Sequence, residues 1–370
     1  MANKVYSATV FALKNSLLSV VLLIASLGLA VAFRQPLERL PSLVDWNTII
    51  TLSGLLMVTT GIKESGLFYL LAYRLCQRID RERFLALLLV FLSAILAMFL
   101  TNDIALFIMV PLTLSLQQIT ENDYSKIIIF EAIAVNVGSS LTPIGNPQNI
   151  FLWHRWDVSF LLFAKEMAPL VLMMSLWLSV MTLLCFSPRE IRVANRHYPT
   201  VNRGLFILCS LLLVAFIIAV ELDYERYFLA VVFVVLLLSH RNVILKTDWG
   251  LIFLFILIFI DLNLICRFQA VHDLLSRLNF NHIPTLFLSG AFFSQVISNV
   301  PATILLANYS TNFKIIAYAV NIGGNGLLIS SLANLIALRF SQKRSNYLVF
   351  HAYSLSFFMI SLISSYYLFT

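Results

Sequence analysis

Of the 370 residues, 60% are hydrophobic and 12% charged, against roughly 45–50% and about 25% in a soluble globular domain, so the chain reads as an integral membrane protein. The net charge of +7 is read as basic residues gathered in cytoplasmic loops, which excludes nucleic acid as the expected partner. Four cysteines (Cys76, Cys185, Cys209, Cys266) and six histidines form no CxxC pair or Cys/His cluster, so neither a disulfide framework, a metal site nor a bound cofactor is indicated.

Apolar runs cover Ser16–Phe33, Met167–Phe186, Gly204–Val220, Leu251–Ile260 and Tyr347–Phe369. A crossing takes about 20 apolar residues, which leaves room for roughly 9–11 membrane segments. No stretch alternates polar and apolar over about ten residues as porin strands do. The fold class is therefore an all-α polytopic membrane protein. Lys4 and Lys14 precede the first run, whose roughly 17 residues exceed the 7–15 of a signal-peptide core, so Ser16–Phe33 is read as a retained span.

Arg34–Val44 is a short loop with Pro36 and Pro41, after which Asp45-Trp46 opens an apolar stretch to about Tyr73. Lys63 and Glu64, within Gly61–Gly66, read as a mid-span interruption in which the two charges neutralise each other. Arg74–Arg83 carries four arginines and reads as cytoplasmic. The arms Phe84–Leu100 and Ile104–Ile119 then flank Thr101-Asn102-Asp103. At about 16–17 residues each they fall slightly short of a crossing, which suggests a re-entrant hairpin over 84–120 with a polar tip, two short spans being the alternative. The next helix, 127–153, carries Glu131 and Asn136 and breaks at Gly138-Ser139-Ser140-Leu141-Thr142-Pro143-Ile144-Gly145-Asn146-Pro147-Gln148-Asn149. Helix breakers at membrane depth must line a cavity or be buried in protein, because lipid satisfies no loose backbone group.

Ser187–Arg203, with Arg189, Arg192, Arg196 and Arg203, divides the chain, and the second half echoes the first. Asp45-Trp46 recurs as Asp248-Trp249, Thr101-Asn102-Asp103 as Ser298-Asn299-Val300, and Val135-Asn136-Val137-Gly138-Ser139 as Val320-Asn321-Ile322-Gly323-Gly324, followed by Asn325, Gly326 and Asn334. We expect an N-terminal repeat over 1–186, a cytoplasmic loop and connecting span over 187–225, and a C-terminal repeat over 226–370 with a hairpin over 283–316 and a broken helix over 317–340. With the N-terminus cytoplasmic, 16 Lys/Arg fall on the inner side (Lys4, Lys14, Arg74, Arg78, Arg81, Arg83, Lys126, Arg189, Arg192, Arg196, Arg203, Arg241, Lys246, Arg339, Lys343, Arg344) and eight outside (Arg34, Arg39, Arg155, Lys165, Arg226, Arg267, Arg277, Lys314). That bias gives an N-in, C-out arrangement in which the second repeat is inverted.

Inverted repeats with discontinuous helices bring their broken ends together near the bilayer midplane, where half-helix N-termini meet anions and freed oxygens meet Na⁺. The candidate substrate- and ion-binding residues are Thr101, Asn102, Asp103, Thr142, Pro143, Gly145, Asn146, Asn149, Ser298, Asn299, Asn321, Gly323, Gly324, Asn325 and Asn334. A single Asn or Ser in a span is usually interhelical glue worth about 1 kcal/mol or less; it is the repeated pair of clusters that points to a site. Intramembrane carboxylates are the sharper marks, and Asp103, Glu131 and Asp261 are candidates for proton or Na⁺ coupling. Asp261 lies close to the expected end of its span, where solvation is the alternative. The halves differ, Asp103 against Val300 and Thr142-Pro143 against Leu327-Leu328, so the first half is expected to carry the ion chemistry. No P-loop, zinc motif, GxSxG elbow or GxGD pair is present, which favours an ion-driven carrier over an ATP-driven pump or an intramembrane hydrolase. A channel would need a continuous polar lining, and the clusters supply none.

At these residues the sequence resembles the ion transporter superfamily that contains arsenite efflux pumps, NhaD-type Na⁺/H⁺ antiporters and divalent-anion/Na⁺ symporters. Asp45-Trp46, Thr101-Asn102-Asp103, the string LTPIGNPQN over Leu141–Asn149, Ser298-Asn299-Val300-Pro301 and Asn321–Asn334 carry the likeness along nearly the whole chain. In the symporter branch the tips read Ser-Asn-Thr and help bind Na⁺ and a carboxylate; by resemblance that role falls to Thr101, Asn102, Ser298 and Asn299. Asp103 and Val300 depart from that pattern, and an aspartate there is more similar to the arsenite-pump and antiporter branch, in particular its small bacterial inner-membrane members. The resemblance implies scaffold and transport domains and a homodimer, with alternating access moving a small inorganic or organic anion; cation/proton antiport is the alternative.

Overall fold

A computed structural model describes residues 20–29, 31, 33, 36–67, 70, 74, 79–120, 123–190, 201–340 and 345–370. Residues 16–19, 30 and 32 of the expected first span, 75–78 and 191–200 of the basic stretches 74–83 and 187–203, and all of 341–344 lie outside the described residues. What is described is helical, and the one extended pairing is an isolated bridge between Arg81 and Glu190. Among the described residues, five helices are long and apolar enough to cross a membrane, so the chain is a multi-pass membrane protein.

The first half comprises α1 (Val20–Leu29), a short 3₁₀ turn, then α2 (Trp46–Glu64), α3 (Glu82–Phe99), α4 (Asn102–Thr120), α5 (Ser125–Ser139), α6 (Pro147–Trp156) and α7 (Phe160–Cys185). The remainder is α8 (Arg203–Glu221), α9 (Glu225–Lys246), α10 (Trp249–Ile265), α11 (Gln269–Ser276), α12 (Ile283–Ile297), α13 (Asn299–Ala307), α14 (Phe313–Gly323), α15 (Leu332–Phe340) and α16 (Ser345–Phe369). Side-chain caps mark several starts: Asp45, Asn146, Ser159, Asn202, Asp248 and Asn312 each accept from a backbone N–H in the first turn of the helix they open.

Bonds between helix ends sort them onto two sides. On one, Lys246 pairs with Glu64, Lys126 donates to the Cys185 carbonyl, Arg83 Nε donates to the Phe186 carbonyl at 2.8 Å, and Asn202 N–H donates to the Ser65 carbonyl at 3.0 Å. On the other, Arg226 donates to Asn47 at 2.9 Å, Asn263 to the Leu43 carbonyl at 2.9 Å, Phe160 N–H to Glu221, and Lys314 pairs with Glu166 at 2.7 Å. α3 and α4 leave the first side and return to it, whereas α12 and α13 leave and return to the second. α13 has nine residues, about 14 Å of helix, less than half of a ~30 Å hydrocarbon core. α13 is thus too short to cross, whereas α3 and α4, with 18 and 19 residues, are each about as long as a crossing and longer than the arms expected from the sequence.

α3 packs closely along α5 because Gly138 has no side chain; a Cβ there would collide with the Ala94 backbone carbonyl. Two expectations are corrected. Gly61–Gly66 is not a mid-span interruption: α2 runs unbroken to Glu64 with Ser65 as its C-cap, and the polar residues belong to a helix end. Lys63 and Glu64 do not chiefly neutralise each other either, since their charged atoms are 4.0 Å apart and Glu64 is paired with Lys246.

Candidate functional site

α5 stops at Ser139 and α6 starts at Pro147; α14 stops at Gly323 and α15 starts at Leu332. Proline at 147 fits the first position of α6, where its missing N–H costs nothing, and Asn146 caps that helix by accepting from Asn149 N–H at 2.9 Å. The second interruption turns at Gly326, whose φ of 109° disfavours any side chain.

The two interruptions are bonded to each other. Asn321, on α14, donates to Asn149 Oδ1 at 2.8 Å and accepts from Asn146 Nδ2 at 3.0 Å. Asn136, on α5, donates to Asn334 Oδ1 at 2.9 Å and to the Gly324 carbonyl at 3.1 Å, and accepts from Ser331 at 3.1 Å. These contacts correspond at one sequence offset of 185, from 136 to 321, from 146 to 331 and from 149 to 334. Asn149 and Asn334 then tie their own loops: Asn149 donates to the Ser139 and Thr142 carbonyls at 3.2 and 3.1 Å, and Asn334 to the Gly324 carbonyl at 3.0 Å. All five asparagines are buried, so this network replaces the water that an interrupted helix would otherwise need.

Each hairpin tip docks on the interruption of its own half. Asn102 N–H donates to the Gly145 carbonyl at 2.9 Å, and Thr142 donates to the Met98 carbonyl at 2.6 Å. On the other side Ser298 donates to the Ser330 carbonyl at 3.3 Å, and Gln295 donates to the carbonyls of Gly323 and Asn325 at 2.7 and 2.8 Å. Ser298 holds φ 75°, ψ 156°, a region that only glycine enters without strain. Gly324 has Asn299 beside it, whose amide nitrogen would lie 3.0 Å from an added Cβ.

Thr101, Asn102, Asp103, Thr142, Pro143, Gly145, Asn146, Asn149, Ser298, Asn299, Asn321, Gly323, Gly324, Asn325 and Asn334 therefore fall on the two tips and the two interruptions, all of them buried except Ser298, which is half-buried. In this set Thr101 Oγ1, Asp103 Oδ1 and Asn325 Oδ1 are buried polar atoms without a hydrogen-bond partner among the described residues. Such atoms are costly unless a ligand, ion or water meets them. Asp103 also forms no ion pair with a Lys or Arg among the described residues.

Glu131 and Asp261 stand apart from this network. Glu131 accepts from Thr113 of α4 at 2.6 Å, and Asp261 accepts from Ser26 of α1 at 2.5 Å. The solvated alternative for Asp261 is corrected: the residue is buried within α10, because α1 covers it. Asn136 and Gln295 lie outside the site segments read from the sequence, while Gln148 and Ser331 lie inside them without being singled out as candidates. Asn136 and Ser331 were within reach, since the repeat aligns them with Asn321 and Asn146. Gln148, which donates to Asn321 Oδ1 at 3.4 Å, lies in the flagged break, whereas Gln295 carries no such signal.

A family model described as CitMHS, citrate transporter, matches residues 8–314. The chain is 42% identical to the Inner membrane protein YbiR of Escherichia coli (strain K12) over 336 residues, 90% of each protein. It is 32% identical to the Uncharacterized transporter MJ0456 of Methanocaldococcus jannaschii over 303 residues, 81% of this chain and 82% of that one. Against the Putative transporter arsB of Dictyostelium discoideum it is 23% identical over 164 residues, 44% of this chain and 29% of the other.

Proposed function

The chain belongs to the CitMHS citrate transporter family, and on that premise we propose that it is an ion-coupled secondary carrier moving a small anion across a bacterial inner membrane by alternating access. The observation that carries this reading is the exchange of asparagine bonds between two interrupted helices, with two opposed hairpin tips docked on them. It supports an inverted repeat whose halves meet at one site. The N-terminus of α6 offers partial positive charge to an anion, while the oxygens of Thr101, Asn102, Ser298, Asn299 and Asn325 are suited to a cation beside it. Asp103, a buried carboxylate with an unmatched oxygen and no basic partner among the described residues, is the residue on which H⁺ or Na⁺ would act. The basic bias of the expected loops supports a cytoplasmic N-terminus, and a homodimer is the assembly the resemblance implies.

The substrate is an inorganic oxyanion or an organic anion, and the family description puts citrate at the head of the organic candidates. Asp103 where the symporter branch has threonine also favours a second reading, cation/proton antiport without an anion. Proteoliposome flux of citrate, dicarboxylates, arsenite and sulfate, under Na⁺, Li⁺ or pH gradients, separates them. Saturable uptake with counterflow of an anion is the expected result. Cation flux alone would select the antiporter, and non-saturating conductance would sink the carrier.

A further inference from the structure

Beside the first tip a narrow cleft opens between α2, α4, α10 and α15. Its walls are mostly apolar, Leu56, Phe107, Leu254 and Ile336 among them, and two acidic residues line it: Asp103 from the tip and Asp248 from the start of α10. Asp103 is 7% exposed, and its Oδ1 has no hydrogen-bond partner among the described residues. Asp248 follows Lys246, whose pairing with Glu64 puts this end of α10 on the side from which the first hairpin enters. The cleft therefore runs from that side of the protein toward the tip.

Asp248 has an ordinary structural task as well. One oxygen accepts from Leu251 N–H at 3.0 Å and caps α10, as Asp45 caps α2 by accepting from Thr48 N–H at 3.2 Å. A cap needs no charge, since asparagine serves about as well as aspartate. The difference between the two aspartates is the cleft, which Asp248 lines with Asp103. Two like charges across a low-dielectric gap focus their field on a cation between them. Lys63 is the fixed cation nearby, with its ammonium 5.1 Å from the ring centre of Phe107.

We propose that this cleft is an entry site for an alkali cation, Na⁺ or Li⁺, held between Asp103 and Asp248 on its way to the hairpin tip. The proposal rests on reading Asp103 as the coupling carboxylate and adds Asp248 as the residue that sets cation affinity from one side. The test is thermal unfolding of the purified full-length chain in detergent while NaCl or LiCl replaces choline chloride at constant ionic strength. Wild type should show a saturable rise in Tm. Asp248→Asn and Asp248→Ser, both able to cap, should need at least tenfold more Na⁺. Asp103→Asn should show no Na⁺-dependent rise, and Asp45→Asn should match wild type. Equal half-saturating Na⁺ in Asp248→Asn and wild type overturns the site, as does a rise produced by Mg²⁺ but not by Na⁺. Anion flux driven by pH, with a wild-type Tm indifferent to Na⁺ and Li⁺, overturns the site and leaves the carrier standing. A Na⁺ response that depends on both aspartates, without saturable flux, supports the site and overturns the carrier.

Discussion

Asn136 donates to Asn334 across the centre of the molecule at 2.9 Å, and the contact is repeated between Asn321 and Asn149 at 2.8 Å. In both pairs the donor sits on the last turns of a helix that is about to break, and the acceptor on the helix resuming in the other half. Neither half satisfies its interruption alone, so the loops are fixed only when the halves are assembled.

It follows that Asn136→Ala strips Asn334, Ser331 and the Gly324 carbonyl of a partner at once. Interhelical hydrogen bonds in membranes average about 0.6 kcal/mol, but orphaned buried groups cost about 1–3 kcal/mol each. A loss of about 2 kcal/mol is expected, read by reversible unfolding in detergent. Asn136→Ala/Asn334→Ala should cost less than the two singles summed, because one partner of the pair is already gone. Additive costs would deny the coupling.

Asp103→Asn should leave folded protein in the membrane and abolish ion-coupled flux, since the amide keeps the shape and loses the charge. Glu131→Gln retains an acceptor for Thr113, and Asp261→Asn one for Ser26. Both should keep coupled flux, their carboxylates lying away from the asparagine network. Undiminished ion-driven transport in Asp103→Asn would remove that residue from the mechanism.

Gly138→Ala should destabilise by about 2 kcal/mol, because the new methyl meets the Ala94 backbone, which cannot swing aside as a side chain can. Gly28, on α1, has nothing within 4 Å of where its Cβ would be. Gly28→Ala should therefore be neutral or stabilising by up to about 1 kcal/mol, through helix propensity alone. Equal melting shifts for the two variants would mean that α3 and α5 are free to separate.

The elements of this site were legible where apolar sequence was visibly broken. Thr101–Asp103, Gly138–Asn149, Ser298–Asn299 and Asn321–Asn334 stand out because glycine, proline and amides are expensive at membrane depth. What they bond to was not legible, because the contact of Asn136 with Asn334 spans 198 residues and depends on how the halves face each other. Gln295 sits one turn before its tip in an apolar helix and reads as an isolated polar residue, yet it clamps Gly323, Asn325 and Leu327. Gly61–Gly66 was misread for the opposite reason. A helix end with glycine and paired charges looks like an interruption until Lys246 is seen to meet Glu64 there.

Ser298 is the test of whether strain at the second tip serves transport. Its backbone lies at φ 75°, ψ 156°, at a cost of about 1–3 kcal/mol for a residue with a Cβ. Its hydroxyl donates to the Ser330 carbonyl at 3.3 Å, a weak bond with little to lose. Ser298→Gly should therefore raise unfolding stability by about 1 kcal/mol, the relief of strain exceeding the lost bond and the added freedom of the unfolded chain. If the serine is kept strained because its hydroxyl meets substrate or ion, the same variant should raise KM for the transported anion severalfold while the protein melts later. Unchanged flux in the stabilised variant would assign Ser298 to the architecture of the tip and not to the ligand.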